Sequence, residues 1–528
     1  MTFRTGFATA ACALAALALA APALAAQISI VREQDANNYD PHKSVAQAAA
    51  EVLFMTGDTL VALEPDMKTL TPALAKSWEV SADGLTYTFK LRDDVTFCDG
   101  RKMTAADAAY SLNRWIDPAT KSPVRWRAGE VDSITAPDET TLVYKLKSPF
   151  SELLYQLTQS FGTIIDKAQV EKLGADFGIQ GMNGTGPFCW ENWTPRDKLS
   201  LTKHAGYKWG PAFYKNKGEA QVDKIVWQVV PEENTRAIAL ISDQTQMSTY
   251  VPYSALEQLR AAPNLQIAKS EEAFWTIFIG FKIDKPTMSD PAVRKAIAMA
   301  VDQHAMAKDL FYGEAKGAKS YISQATKDWN PALDDKLPKY DPAGARKLLD
   351  EAGWKVGADG VREKNGVKLA PTGYFFNGST WRNISEYVQA ELLKIGVKLQ
   401  IQGFDPTVAW GKLATQEFDA FGMSYPYVSA GDALNLYFPS TNVPTPNRMN
   451  WKDPETDKWL AEGKAALDDK TRAAAYGKVL EKVHGANLWL PLVHEPRVVA
   501  YSKKLAPIVP HNNYGCALYK GLDLKYVN

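Results

Sequence analysis

Catalysis in this chain would have to start from its histidines, its paired carboxylates or its glycine cluster, and none of them has a catalytic spacing. The six histidines, His42, His204, His304, His484, His494 and His511, are scattered, so the short intervals that put two imidazoles on one metal are missing. His494-Glu495 lacks the second His of H-E-x-x-H, and neither a G-x-S-x-G elbow nor a G-x-x-x-x-G-K phosphate loop is present. Asp93-Asp94 is the kind of pair a glycosidase uses as acid and nucleophile. In a chain with 60 acidic residues such neighbours arise freely and read as solvated loop charges. Gly178, Gly181, Gly184 and Gly186, followed by Pro187, are phosphate-loop-like in composition only. With no Lys and helix behind them, they mark a connection with unusual backbone angles, placed where one domain crosses to another.

Aromatic surface is abundant, with 15 Trp and 22 Tyr. These side chains suit a binding cleft because they combine rigid area with a polar handle, although a lone Trp on a strand reads first as core. Lys plus Arg equals Asp plus Glu at 60 each, so net charge points to neither nucleic acid nor an anionic membrane. Hydrophobic content of 46% is that of a globular protein. Outside the leader there are three cysteines, Cys98, Cys189 and Cys516. In an oxidising compartment they leave one pair and one leftover, and the pairing is not fixed by the sequence.

The elements that hold these residues follow an export leader. After Arg4 an apolar Ala and Leu stretch reaches Ala23-Leu24-Ala25, a secretory signal with cleavage expected after about Ala25 and release to the periplasm. Cys12 lies inside that stretch behind Thr9-Ala10-Ala11, without the Leu that opens a lipobox. A chain of 528 residues calls for two or three domains. Tyr87, Phe89 and Leu91 alternate with polar residues after the Asp83-Gly84 turn, predicting a hairpin. Thr104 and Asp107 then cap a helix carrying Ala108, Leu112 and Trp115 on one face. A second break, Ala262-Pro263-Asn264, precedes the apolar run 274–281. Asp290-Pro291 and Asp341-Pro342 open helices, and a helix from about Asn383 leads into alternating Val397, Leu399 and Ile401. Helix followed by strand in this order predicts an α/β layer.

At residues 77–114 the reading becomes specific. The string SWEVSADGLTYTFKLRDDVTFCDGRKMTAADAAYSLNR resembles the signature of the family-5 extracellular solute-binding proteins, the dipeptide, oligopeptide and nickel receptors of ABC importers. Asn183-Gly184-Thr185-Gly186-Pro187-Phe188, the segment from Ser289 to Ile297 and the segment from Tyr340 to Gly353 resemble further family motifs in the expected order. The resemblance implies a three-domain α/β fold of the periplasmic-binding-protein type. Lobe I would be discontinuous (26–57, 183–265 and 491–528), with an inserted domain II (58–182) and an opposing lobe III (266–490). Two strands crossing between the lobes would make the hinge, and ligand would stabilise the closed form. The implied function is capture of a peptide-sized organic solute, a peptide or an opine-like conjugate, for delivery to the importer's membrane permease. The receptor would be monomeric and non-enzymatic, with no cofactor, metal or nucleic acid. A secreted hydrolase and a ligand-presenting sensor subunit are the competing classes.

In peptide-binding relatives the ligand lies extended between the lobes, its α-amine on an Asp just before a D-P-D-N-type loop. The matching region here runs from Ser424 to Asn435. Asp432 and Asn435 align with the loop, but the amine-binding Asp has no counterpart, and Tyr425 or Tyr427 stands near its place. A free α-amino peptide is thereby disfavoured, and Asp432 is left to receive a shifted cation or to bond loop amides. By the same analogy Trp381 would stack on the ligand and Arg382 would clamp a carboxylate. Trp275 and Asn38-Tyr39 would approach from the other side, with plain packing as the alternative for each. Cys98 and Cys189 fall within two family motifs where other members often lack cysteine. That implies a disulfide between domain II and lobe I with Cys516 free, or else two buried thiols.

Overall fold

The computed structural model describes residues 26–334 and 336–527; the expected leader and Cys12 lie outside them. Three sheets carry the architecture. The first is seven-stranded, in spatial order Leu265–Lys269, Val498–Ser502, Met247–Ser248, Gln27–Arg32, Lys224–Val229, Lys198–Lys203 and Phe188–Thr194. Gln27–Arg32 runs parallel to both its neighbours. Ile28, Ile30 and Trp227 bury one of its faces.

The second sheet has six strands, in the order Lys316–Gly317, Trp489–Glu495, Trp275–Phe281, Ala420–Tyr425, Thr372–Phe376 and Gln400–Phe404. The unbroken apolar run at its centre is explained by burial on both faces. Ile277 and Ile279 join one core and Phe278 joins another. The third sheet is a four-stranded antiparallel layer, Ala75–Val80, Thr86–Leu91, Thr141–Leu146 and Val131–Asp138. Helix Ala105–Ile116 covers it through Trp115, and its start is the Thr104–Asp107 capping box.

The two chain crossings differ from expectation. The sequence places divisions at 265/266 and 490/491, but Leu265–Lys269 still pairs with Val498–Ser502 in the first sheet, and Trp489–Glu495 belongs to the second. The crossings are therefore 270–274 and 496–497. Ala262-Pro263-Asn264 ends a helix and leads into Leu265–Lys269, the edge strand of the first sheet, so the turn sits one strand before the crossing. At the crossing the Ser270 amide donates to the Arg497 carbonyl (2.9 Å), and the Arg497 amide donates to Ser270 Oγ (3.0 Å). The two linkers are thus bonded to each other.

The glycine cluster allows close backbone approach. A Cβ on Gly184 would lie 1.9 Å from the Thr56 carbonyl oxygen, and one on Gly178 would lie 2.2 Å from the Asp40 nitrogen. The connection from domain II is laid directly on the segment that leaves lobe I, where no side chain fits. Cys98 and Cys189 are joined by a disulfide with a Cα–Cα separation of 5.8 Å. It ties the four-stranded unit to the edge strand of the first sheet. Cys516 is free and buried.

Candidate ligand-binding site

The three units meet at a buried ion pair. Asp432 lies in the first turn of helix Ala430–Tyr437, whose cap, Ser429, accepts from the Asp432 amide (3.0 Å). Its carboxylate meets Arg127 of the four-stranded unit at 2.6 Å, with both side chains almost fully buried. Gln156 and the Val428 amide also donate to it. Arg127 donates in turn to Gln156 (3.0 Å) and to the Tyr425 hydroxyl (3.1 Å). Tyr514, from the C-terminal part of lobe I, donates its proton to the Val45 carbonyl (2.9 Å), so Tyr425 is the donor in the 3.2 Å contact between the two hydroxyls. The result is a directed chain, Arg127 to Tyr425 to Tyr514 to Val45, that crosses all three units. Burial raises the Asp432 pKa, and the Arg127 guanidinium pulls it the other way.

A second charged contact lies beside it. Glu152 of the four-stranded unit bonds Ser429 and sits 3.9 Å from Arg472, which is held by Asp328 at 2.7 Å. Burial pushes Glu152 up to about 7, with Arg472 pulling the other way. The inserted unit is therefore locked to lobe III by polar groups that water does not reach.

On the hinge side Trp275 begins the central strand of lobe III. Its ring lies 4.7 Å under the Arg497 guanidinium and directly against Gly515, where a Cβ would come within 2.5 Å of the indole. On the outer side helix Ser379–Leu393 reaches lobe I through Ser379, which bonds Glu233. Trp381, in its first turn, is half-buried between Phe375 and Phe376, each 6.1 Å away, and Arg382 is exposed.

The residues singled out from sequence thus fall into four groups. Tyr425, Tyr427 and Asp432 come together, Tyr425 stacked on Tyr427 at 5.1 Å. Trp275 stands at the hinge, and Trp381 with Arg382 at the outer rim. Asn38 and Tyr39 are not brought to either place. The Tyr39 hydroxyl bonds Arg32 (2.6 Å) and Asp35 (2.7 Å), its ring packs edge-on to Trp190 and Trp193, and Asn38 accepts from the Asp40 amide. The pair belongs to the packing of lobe I. Asp432, expected either to receive a ligand cation or to bond loop amides, accepts from the Val428 amide and holds the protein's own Arg127 guanidinium.

Sequence reasoning missed Arg127, Glu152 and Glu51. Arg127 sits in Arg125-Trp126-Arg127, which carries no periodic signal. Glu51 could have been found, because it is the one acid in the apolar helix Gln47–Thr56. It is buried, and that burial pushes it up to about 7 against the pull of Arg32 and the Thr249 hydroxyl. The one group of metal-ligating side chains among the described residues, Cys98, Cys189 and His204, contains the two bonded sulfurs and so offers no thiolate. No helix among the described residues is long and apolar enough to cross a membrane.

Two α/β lobes joined by a paired crossing, with polar and aromatic groups facing one another between them, define a solute-binding protein of the hinged two-lobe class. Residues 69–445 match the model of the bacterial extracellular solute-binding proteins, family 5 (middle region), and the chain belongs to that family. The glutathione-binding protein GsiB of Escherichia coli (strain K12) is 29% identical over 482 residues, 88% of each chain. Among solved structures, DppA of Helicobacter pylori with the peptide STSA superposes with a TM-score of 0.81 at 24% identity, covering 95% of this chain and 98% of that one. NikA of Brucella suis with Fe(III)-EDTA gives 0.83 at 24% identity, covering 95% and 100%. The protein is a substrate-binding subunit of an ABC importer and not an enzyme. Its partners are importer permease subunits and a small solute, and members of its family are periplasmic.

Proposed function

We propose that this receptor closes its lobes over a peptide-sized organic solute that is not a simple α-amino peptide. The observation that carries this is the 2.6 Å pair between Asp432 and Arg127. An incoming ammonium would have to displace a buried guanidinium, and an ion pair broken in low dielectric strands its other half. The solutes printed for relatives, among them glutathione, the peptide STSA and Fe(III)-EDTA, differ in chemistry. The scaffold alone therefore leaves the choice to this chain's own side chains. In this reading Tyr425, Tyr427 and Trp275 line the inner wall, and Trp381 with Arg382 the outer rim. The chain is exported, freed of its leader near Ala25, and works as a monomer whose linkers at 270–274 and 496–497 are the hinge.

A thermal-shift screen tests the ligand class. A solute at a hundredfold excess over Kd adds about 2.7 kcal/mol to stability, which is a readily measured upshift. Dipeptide and tripeptide libraries should give none, and a clear shift with simple peptides overturns the reading. Native mass spectrometry of protein purified from its own host should show one co-purified small molecule per chain. N-terminal sequencing of the same sample should begin near Ala26.

A further inference from the structure

Among the described residues seven arginines are buried. Arg32, Arg127, Arg362 and Arg472 meet carboxylates, and Arg236 and Arg294 donate to backbone carbonyls. Arg448 is different. It is 7% exposed, and among the described residues neither a hydrogen-bond acceptor nor a carboxylate within ion-pair distance meets any nitrogen of its guanidinium. Its neighbours are aromatic, with the guanidinium carbon 5.5 Å from the centre of the Trp410 ring and Tyr437 and Tyr427 alongside. Burial draws its pKa down, but a guanidinium starts too high to lose its proton and so remains a desolvated cation.

The surroundings point outward. Trp410 is 48% exposed, so one ring separates the cation from solvent. Phe376 packs edge-on to Trp410 at 5.8 Å and lies 6.1 Å from Trp381, which forms an aromatic shelf ending at the rim where Ser379 touches lobe I. In the other direction Tyr427 stacks on Tyr425, which reaches the three-unit junction. Arg448 thus stands on an aromatic path running along lobe III between the two places where that lobe meets the rest of the molecule.

We propose that Arg448 is the anchor for a carboxylate of the transported solute, whose planar or apolar body lies on the shelf of Trp410, Phe376 and Trp381. This rests on the reading of the lobe interface as the solute site. A carboxylate matches the guanidinium fork in two parallel bonds. The cation is already out of water, so it need not be desolvated when the anion arrives. Arg382, exposed on the same side, lacks that advantage and contributes at most long-range attraction.

The probe pair is 4-bromobenzoate and its neutral isostere 4-bromobenzamide, titrated calorimetrically into the full mature protein. Wild type should prefer the carboxylate by at least tenfold, and Arg448→Met should lose that preference. In crystals soaked with 4-bromobenzoate, the bromine anomalous peak should lie over the Trp410 shelf with the carboxylate on Arg448. Ligand-free Arg448→Met should melt no lower than wild type, because the residue removed had no partner. Equal affinity for the two probes, a bromine peak elsewhere, or an Arg448→Met protein that melts lower and still prefers the carboxylate overturns the assignment. The wild-type arms do not depend on the variant folding. A host-purified protein that carries a solute yet ignores the carboxylate refutes Arg448 alone, whereas one that binds simple peptides refutes the underlying reading.

Discussion

Arg127 and Arg448 are both buried guanidiniums facing tyrosines, but only Arg127 has a carboxylate. Arg127 is bonded through its two Nη atoms to Asp432, Gln156 and Tyr425, so it serves the architecture, holding domain II, lobe III and lobe I in one arrangement. Arg448 has the rings of Trp410, Tyr437 and Tyr427 beside it and, among the described residues, no carboxylate within ion-pair distance. The difference shows that burial of a charge does not by itself distinguish a structural cation from a binding one; the acceptor count does. The comparison breaks most sharply at Arg127. Arg127→Met leaves the Asp432 carboxylate buried and uncompensated, and should cost about 3–5 kcal/mol in guanidinium unfolding followed by tryptophan fluorescence. Arg127→Met combined with Asp432→Leu should recover most of that loss. If the single variant is as stable as wild type, the pair is not the structural element described here.

The other tie of domain II is covalent. The Cys98–Cys189 bond closes a sequence separation of 91 residues, so Cys98→Ser with Cys189→Ser should cost about 2–4 kcal/mol through loop entropy returned to the unfolded chain. The ion pair acts in the folded state and the disulfide acts on the unfolded one. Losing the disulfide should therefore leave solute affinity almost intact, while losing Arg127 should reduce it. Affinities falling in parallel would merge the two roles.

Local signals made much of this legible in sequence. Asp290 and Asp341 cap the helices assigned to them, accepting from Ala292 and Gly344. Tyr87, Phe89 and Leu91 form the strand their alternation predicts, because period and capping are properties of a few consecutive residues. The site was less legible for the opposite reason. Asp432 was visible as a motif position, but its state depends on Arg127, which is 305 positions away in the chain and carries no pattern. For Tyr39 the sequence leaves ligand contact and plain packing open, because position in a family pattern says nothing of where a hydroxyl finds its partners, and here Arg32 and Asp35 take it. Arg448 had no signal at all, since an arginine without an acceptor is recognisable only once its surroundings are known.

Glu51 sharpens the same contrast from the acidic side. A buried carboxylate without enough compensation can take up a proton, an escape closed to a guanidinium. With its pKa pushed by burial from 4.5 to about 7, Glu51 favours the folded state below about pH 4.5 and loses that contribution as pH rises towards 7; Glu152 behaves alike. The buried histidines act oppositely. Burial lowers His42, His484 and His494 to about 3 and His511 to about 4, so their contribution is complete above about 6.5 and falls away as pH drops towards those values. Between pH 4.5 and 6.5 the four buried histidines therefore make stability rise with pH, while Glu51 and Glu152, with Glu33, Asp432 and Asp523 shifted up in the same sense, work against that rise. Glu51→Gln removes one opposing group and should steepen that rise, by at most about 1.4 kcal/mol per pH unit. Urea unfolding of wild type and variant across this range reads the slope directly, and parallel curves would mean that Glu51 titrates as an ordinary carboxylate.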